Sequence, residues 1–140
     1  MRGSPLVFLD ANILFSAALG GPSFVLLLEL AGTHKISLVT SPACVREAET
    51  NLERKRPAAR PVPSEVLTRV AVQAVDEDEH AAWAAALVDH DDIHVLAAAR
   101  TVAADVLLTG DTAHFGRLME RDDLGIQVTT VRRSLLEGLE

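Results

Sequence analysis

Three aspartates lie beside segments whose apolar sequence predicts burial. Asp10 ends the run LVFLD, Asp92 lies at the start of DDIHVLAAA, and Asp111 follows VLLTG. Carboxylates that a fold brings together repel one another unless they share a proton or a cation. The pattern therefore predicts a divalent-cation site assembled from distant parts of the chain. Oxygen ligands of this kind favour Mg²⁺ or Mn²⁺.

Two of these acids follow predicted strands. In an open parallel sheet, ligands bind beyond the carboxyl ends of the strands, and Asp10 and Asp111 both follow such an end. If the two strands are neighbours, both carboxylates can approach one ion. Each position also has an ordinary structural interpretation, because Asp10 could cap a helix and Thr109-Gly110-Asp111 could form a glycine turn. The sequence leaves both interpretations open.

Helical geometry places Asp92 on a face that should be buried. At 3.6 residues per turn, the residues that share its face are all apolar: Leu96, Ala99 and Ala103. The carboxylate is therefore expected at the inner edge of the helix N-terminus. Asp91 points elsewhere and is expected to be a solvated cap, whereas the role of Asp89 stays open.

A fourth acid is expected on the helix that follows Ser41-Pro42, a sequence typical of an N-cap and a first-turn proline. The candidates are Glu47, Glu49 and Glu53, and the apolar residues that predict the buried stripe are Val45, Ala48 and Leu52. The helical pattern puts Glu49 nearer to this stripe than Glu47. It does not select Glu47.

Three histidines lie close to the acids in sequence, and they raise the alternative of a zinc site: His90, His94 and His114. Their spacings match no zinc signature, so we expect hydrogen-bonding roles instead. His114 is the one that could contact a phosphate group.

The elements that must position these residues alternate along the chain. Predicted strands are LVFL before Asp10, 36–40, 106–109 and 126–131, and predicted helices are 24–31, 42–54 and 92–104. This alternation predicts one α/β domain over residues 1–140, with a central, mostly parallel sheet flanked by helices. Residues 56–63 form a proline-rich connection. Residues 64–88 are expected to be mostly helical, with VAVQAV as a helix end or a short edge strand.

The composition is that of a globular protein, at 49% hydrophobic and 24% charged residues. A single cysteine, Cys44, excludes an intramolecular disulfide and is consistent with a reducing cytoplasm. We expect no signal peptide, because Asp10 and Asn12 interrupt the first apolar stretch, and no membrane span. The net charge of −7 opposes nonspecific attraction to nucleic acid. A local basic patch partly offsets it: Arg46, Arg54, Lys55, Arg56 and Arg60.

Four fragments in this order resemble the PIN-domain family, and LDANILFSA, SPA and TGD resemble its VapC-like toxin branch. In that resemblance, LDANILFSA contributes Asp10 and Asn12. SPACVREAETNL contributes Glu47, which selects it over Glu49. DHDDIHVLAAA contributes Asp92, and LLTGDTAHF contributes Thr109 and Asp111.

The resemblance implies a Mg²⁺- or Mn²⁺-dependent ribonuclease. In such an enzyme Asp10, Glu47, Asp92 and Asp111 hold metal, and Asn12 and Thr109 fix carboxylates or water. RNA is the implied substrate and an antitoxin protein the implied partner, while a homodimer is plausible from the apolar segment 24–30. The alternative is a catalytically silent PIN-fold module that docks a protein partner in its acidic cleft. An aspartyl phosphatase is disfavoured because Asn12 stands where a second aspartate is needed.

Overall fold

Five strands form one parallel sheet: β1 (Leu6–Leu9), β2 (Ser37–Thr40), β3 (Val70–Val72), β4 (Val106–Leu108) and β5 (Gln127–Thr129). The computed structural model describes residues 4–55, 68–76 and 78–133. Every residue of β4 is buried. Because neighbouring residues of a strand face opposite sides of the sheet, both faces must be covered, as the run of valine and leucine predicts. The predicted α/β sheet is confirmed, and every pairing is parallel.

The described helices flank this sheet: α1 (Ala11–Ala18), α2 (Pro22–Gly32), α3 (Pro42–Lys55), α4 (Ala81–Ala85), α5 (Ile93–Thr101) and α6 (Thr112–Phe115). Local chemistry sets their boundaries. The Ser41 hydroxyl accepts a hydrogen bond from the Cys44 amide at 3.2 Å, and Pro42 begins α3. Gly20, with φ of 78°, separates α1 from α2 in a conformation that favours glycine.

The sheet order is β3-β2-β1-β4-β5, so β1 is central and the chain returns to its other side only at β4. The carboxyl ends of β1 and β4 therefore flank the switch in strand order, where open parallel sheets bind ligands. Leu9 pairs with Leu108 in register. The next residues along each strand, Asp10 and Thr109, consequently emerge side by side.

Some sequence expectations need correction. Ala103 is exposed rather than buried, because α5 ends at Thr101 and Ala103 adopts a left-handed φ of 59°. A 3₁₀ turn at His90–Asp92 precedes α5, so the regular helix is shorter than residues 92–104. Of VAVQAV, Val70–Val72 forms the edge strand β3. The expected connection at 56–63 and residues 64–67 of the segment expected to be mostly helical lie outside the described residues. Within the described part of 64–88 only α4 is helical, so that expectation is wrong there.

The buried stripe of α3 is as predicted at two of three positions and differs at the first. Cys44, Ala48 and Leu52 are buried, whereas Val45 is half-buried. The described helices include none that is long and apolar enough to cross a membrane.

Candidate active site

The carboxylate of Asp10 is held at the end of β1 by three hydrogen-bond donors. The Ala11 amide donates to Oδ1 at 2.7 Å, and the Thr109 hydroxyl and the Asn12 amide donate to Oδ2 at 2.8 and 3.3 Å. Asp10 is only 4% exposed. Its bond to Ala11 makes Asp10 the N-cap of α1. Asp10 therefore caps α1 and can also contribute to the site.

Thr109 and Asn12 connect β4 to the start of α1. The Thr109 hydroxyl donates to Asp10 and accepts from the Asp111 amide at 3.1 Å and from the Asn12 side chain at 3.3 Å. Asn12 Oδ1 accepts a hydrogen bond from the Gly110 amide at 2.8 Å. One hydroxyl thus uses its donor and both acceptor positions, which fixes the orientation of each partner.

Asp92 lies in the 3₁₀ turn before α5, and its side chain makes no capping hydrogen bond to its own helix. Its Oδ2 atom is buried and has no hydrogen bond of good geometry among the described residues. His114 Nδ1 lies 2.9 Å from this oxygen, a close ion-pair distance. Asp92 and His114 are therefore close enough to share one cation.

Asp111 and His114 approach Asp92 from the turn after β4. The His114 amide donates to Asp111 Oδ1 at 3.0 Å, so Asp111 caps α6. His114 Nδ1 lies 3.1 Å from Asp111 Oδ2, which places the imidazole between two carboxylates. The turn interpretation of this segment is also correct, because Gly110 and Asp111 link β4 to α6.

The fourth acid, Glu47, reaches the same region from α3. Its Oε1 atom lies 3.6 Å from His94 Nε2 on α5, and its charge acts on Asp10. Relative to the observed buried stripe, Glu47 and Glu49 lie about 100° to either side, given 3.6 residues per turn. The predicted stripe, which began at Val45, favoured Glu49, whereas the charge of Glu47 is among those that raise the pKa of Asp10.

The acids influence one another's ionisation. Burial raises the pKa of Asp10 from 3.8 to about 6, with smaller contributions from Glu47 and Asp92, while the bonds from Thr109 and Ala11 oppose the rise. Burial also raises the pKa of Asp92. Asp111 and Asp89 add to that rise, and His114 opposes it. Burial therefore disfavours ionisation of Asp10 and Asp92, and neighbouring carboxylates add to this effect.

The donor set fits a small divalent cation. Asp89, Asp92 and His114 each offer one ligand atom, and these atoms lie within 4.8 Å of one another. Asp92 belongs to this group, and the charges of Asp10, Glu47 and Asp111 act nearby. Most of the available donors are carboxylate oxygens, which hard cations prefer.

The structure adds residues to which the sequence assigned no site role. Asp89 joins the potential ligand group, although the sequence left its role open, and Asp91 beside it is exposed, as expected. His94 contacts Glu47, and His114 contacts two acids. Proximity in sequence to Asp92 and Asp111 was the only signal for them. Contacts between separate elements do not follow from local spacing.

A groove of about 640 Å³ continues from the acid cluster, between α3 and the turn before α5. Its polar lining consists of Glu47, Asp78, His90, Asp91 and His94. The basic residues of the predicted patch that can be described, Arg46, Arg54 and Lys55, are exposed on α3. Arg56 and Arg60 lie outside the described residues. The groove is thus lined by acids and histidines.

Residues 6–113 match the family model for the PIN domain. This range includes every acid described above. A search of curated proteins finds no match.

Several solved structures share the fold. The VapBC2 structure from Rickettsia felis, bound to a DNA fragment from its promoter, gives a TM-score of 0.60 at 18% identity, over 89% of this chain and 98% of that chain. VapBC-1 from nontypeable Haemophilus influenzae gives a TM-score of 0.54 at 17% sequence identity, over 91% of this chain and 98% of that chain. Mycobacterium tuberculosis VapC20, described as a Sarcin-Ricin loop cleaving toxin, gives a TM-score of 0.50 at 22% sequence identity, over 72% of this chain and 86% of that chain.

Proposed function

The chain belongs to the PIN-domain family, and we propose that it is a metal-dependent endoribonuclease that hydrolyses RNA phosphodiester bonds as the toxin of a toxin–antitoxin pair. The observation that carries the proposal is the mutual electrostatic effect of acids from separate segments: Glu47 and Asp92 raise the pKa of Asp10, and Asp111 raises the pKa of Asp92. Asp10 lies at 4% exposure in this cluster and has a raised pKa. A protein tolerates such a cost most readily where function requires it.

Asp10, Glu47, Asp92 and Asp111 are the residues that would hold Mg²⁺ or Mn²⁺, with Asp89 and His114 beside them. When bound, the cation supplies positive charge that polarises a phosphoryl oxygen and lowers the pKa of water. Thr109 and Asn12 hold the Asp10 carboxylate in one orientation. Their neutral donors preserve the negative charge of the carboxylate, which the cation requires. No covalent protein nucleophile is needed.

The proposed RNA substrate is supported by family membership and by the shared fold of VapC20, itself described as a Sarcin-Ricin loop cleaving toxin. The formal net charge of −7 includes the negative charges of the site acids but not the positive charge of the cation that they would bind. Binding of a divalent ion changes the local charge in the direction that a phosphate requires. Exposed Arg46, Arg54 and Lys55 on α3 are the described cations nearest in sequence to Glu47.

An antitoxin partner is supported by the shared fold of the two VapBC structures. The exposed large apolar side chains near the α1–α2 turn also fit a protein contact: Leu19 at 45%, Val25 at 50% and Leu26 at 43% exposure. A second copy of the chain is the other occupant that we propose for this face.

The second candidate function is a partner-docking module without catalysis. The groove lined by Glu47, Asp78 and Asp91 favours it, because carboxylates attract a basic side chain and repel a phosphate. The two functions are compatible in one protein if a partner occupies the cleft until the substrate replaces it. Metal binding and cleavage by the isolated chain separate them.

The test compares RNA cleavage by the wild type, Asp92→Asn and Asp91→Asn. Purified protein is incubated with total RNA and Mn²⁺, and a parallel reaction contains excess chelator. Asp91 is an exposed neighbour of Asp92, so its substitution removes the same charge from the same turn without touching the cluster. We expect cleavage by the wild type and by Asp91→Asn, and at least about a 100-fold loss in Asp92→Asn.

Equal cleavage by the wild type and Asp92→Asn would indicate a contaminating ribonuclease and contradict the proposal. If calorimetry also detects no Mn²⁺ binding, the docking function is favoured. Folding of each variant is checked by circular dichroism, since loss of structure would imitate loss of a ligand.

A further inference from the structure

Arg117 is anchored beside the proposed cation site by a hydrogen bond between two separate segments. Its Nη2 atom donates to the carbonyl oxygen of Leu87 at 2.7 Å. Leu87 precedes Asp89 by two residues. On the other segment, Arg117 follows His114 by three residues. Asp89 and His114 both belong to the group whose ligand atoms lie within 4.8 Å of one another. The guanidinium therefore connects two segments that supply this group.

The hydrogen bond uses only part of the guanidinium. An arginine side chain carries five N–H donors, and the bond to Leu87 uses one of its nitrogens. The side chain is exposed, and within residues 4–55, 68–76 and 78–133 it forms no ion pair with an acid. Arg121 differs, because two hydrogen bonds pair it with Asp123. Arg117 therefore presents to solvent a positive charge that is held in place and has unused donors.

The charges around the site favour one side for an RNA backbone. The groove beside α3 is lined by acids, whose carboxylates repel phosphates. Arg117 does not line that groove and lies in the 3₁₀ turn Gly116–Leu118, which follows α6. Because two residues span at most about 7 Å, the Leu87 carbonyl that holds Arg117 is close to Asp89. A strand of RNA at the cation site can therefore reach the guanidinium without crossing the acidic groove.

A phosphodiester is the anion that fits this arrangement within the proposed function. Arginine presents its N–H groups in a planar fork that matches two phosphate oxygens. The bond to Leu87 restricts the side chain before RNA arrives, so less rotamer freedom is lost on binding. We propose that Arg117 binds a phosphate of the RNA backbone next to the cleaved bond, on the α6 side of the cation site. The inference rests on the proposed function, because it requires RNA as the substrate.

The test measures cleavage of total RNA in Mn²⁺ by the intact wild type and by Arg117→Gln. Initial rates are taken from denaturing gels over a range of RNA concentrations, in about 50 to 200 mM KCl. We expect Arg117→Gln to raise KM about 10-fold while kcat stays within about 2-fold, because a contact made equally in the substrate and the transition state is lost. The decrease of log(kcat/KM) with log[KCl] should become shallower by about 0.7, the value for one phosphate of a single strand.

Arg121→Gln is the matched control. It removes the same formal charge from an exposed arginine nearby, but Asp123 already pairs with that arginine. KM and salt dependence should stay near their wild-type values. Calorimetry should find wild-type Mn²⁺ affinity in both glutamine variants, because neither arginine is a proposed ligand of the cation.

Further substitutions distinguish a phosphate contact from a purely structural role of the Leu87 bond. KM should increase in the order wild type, Arg117→Lys, Arg117→Gln and Arg117→Glu, and the lysine variant should keep the wild-type salt dependence. A role limited to holding the Leu87 carbonyl predicts a different result. Mn²⁺ affinity and thermal stability would then decrease, and no substitution would change the salt dependence.

The possible outcomes are distinct. Wild-type KM and salt dependence in Arg117→Gln overturn the inference while the proposed function stands. An unchanged salt dependence with weaker Mn²⁺ binding also overturns it, because Arg117 would then act through the cation site. If the wild type neither binds Mn²⁺ nor cleaves RNA, the proposed function fails and the inference fails with it. Should Arg117→Gln fold poorly, the contrast between the lysine and glutamate variants decides.

Discussion

The Thr109 hydroxyl donates a 2.8 Å hydrogen bond to Asp10 Oδ2, across 99 positions of sequence. Both residues are buried, and they emerge side by side because Leu9 and Leu108 pair in the sheet. The bond lowers the pKa of Asp10 against the effect of burial. The pairing of β1 with β4 therefore influences the ionisation of Asp10, because it brings Thr109 beside that carboxylate.

Thr109→Val should destabilise the protein and weaken Mn²⁺ binding. Valine keeps the shape but removes the donor to Asp10 and the acceptor for the Asp111 amide, which leaves buried groups unpaired at about 1–3 kcal/mol each. The pKa of Asp10 should rise further, because a group that stabilises its charged form is lost. Urea unfolding and Mn²⁺ calorimetry at neutral pH measure the two effects.

Thr129→Val is the control for this change. Thr129 is equally buried at the end of β5, but its hydroxyl contacts only the neighbouring Thr130 carbonyl at 3.5 Å. It should leave Mn²⁺ affinity near the wild-type value. An equal loss of affinity in both valine variants would show that the Asp10 contact has no special importance.

Asp10→Asn should stabilise the metal-free protein at pH 7.5. The folded pKa of Asp10 is about 6 against an ordinary 3.8, so the folded state disfavours ionisation. The resulting cost is absent below about pH 4 and complete above about pH 6, where it reaches about 3 kcal/mol. A mismatched amide group reduces the gain, so about 1–2 kcal/mol is expected.

The measurement is urea unfolding of wild type and Asp10→Asn with chelator present, at pH 7.5 and pH 4. The advantage of the variant should shrink toward pH 4, where Asp10 is protonated in the folded state and partly protonated in the unfolded state. With Mn²⁺ the order should reverse, because only the wild type gains binding energy. A variant less stable by the same amount at both pH values would contradict the assigned pKa.

Ala103→Gly should stabilise the fold without altering the site. Ala103 has a φ of 59° at the end of α5, where its amide donates to Arg100 and the Ala104 amide donates to Ala99. This is the Schellman arrangement that favours glycine. The left-handed conformation costs alanine roughly 1–2 kcal/mol, partly offset by the greater backbone entropy of unfolded glycine.

The net gain should be about 0.5–1 kcal/mol, or roughly 2–4 °C in Tm, measured by thermal unfolding. Mn²⁺ affinity should be unchanged, because Ala103 lies at the opposite end of α5 from Asp92. A lower Tm would mean that the methyl group of Ala103 contributes packing that its exposure does not suggest.

Substitutions at Leu26 and Leu27 on α2 should distinguish an effect on partner binding from an effect on folding. Leu27 is fully buried, and Leu27→Ala should cost about 2–5 kcal/mol of stability. Leu26 is 43% exposed, so Leu26→Ala should cost less than about 1 kcal/mol. If the exposed patch binds a partner or a second copy, Leu26→Asp should reduce association in light scattering while thermal stability is kept. Unchanged association would exclude Leu26 from that contact.

Much of the architecture was predictable because local sequence determines it. The apolar runs at LVFL and VLL could be stable only as buried strands, and Ser41-Pro42 begins α3 as its chemistry requires. Ala103 is the instructive failure: helical spacing placed it on the buried face, but α5 ends two residues earlier. An alanine-rich sequence contains no strong stop signal, so the periodicity could not locate that end.

By itself, the sequence determined which residues could form the site: Asp10 and Asp111 follow buried strands, and Asp92 lies on an inward helical face. Those properties are local, since they depend on the alternation of strands and the pitch of a helix. Only the tertiary structure decided that Thr109 binds Asp10 and that His94 and His114 lie beside the acids. These contacts depend on sheet order and helix rotation, which long-range packing sets and local spacing does not encode.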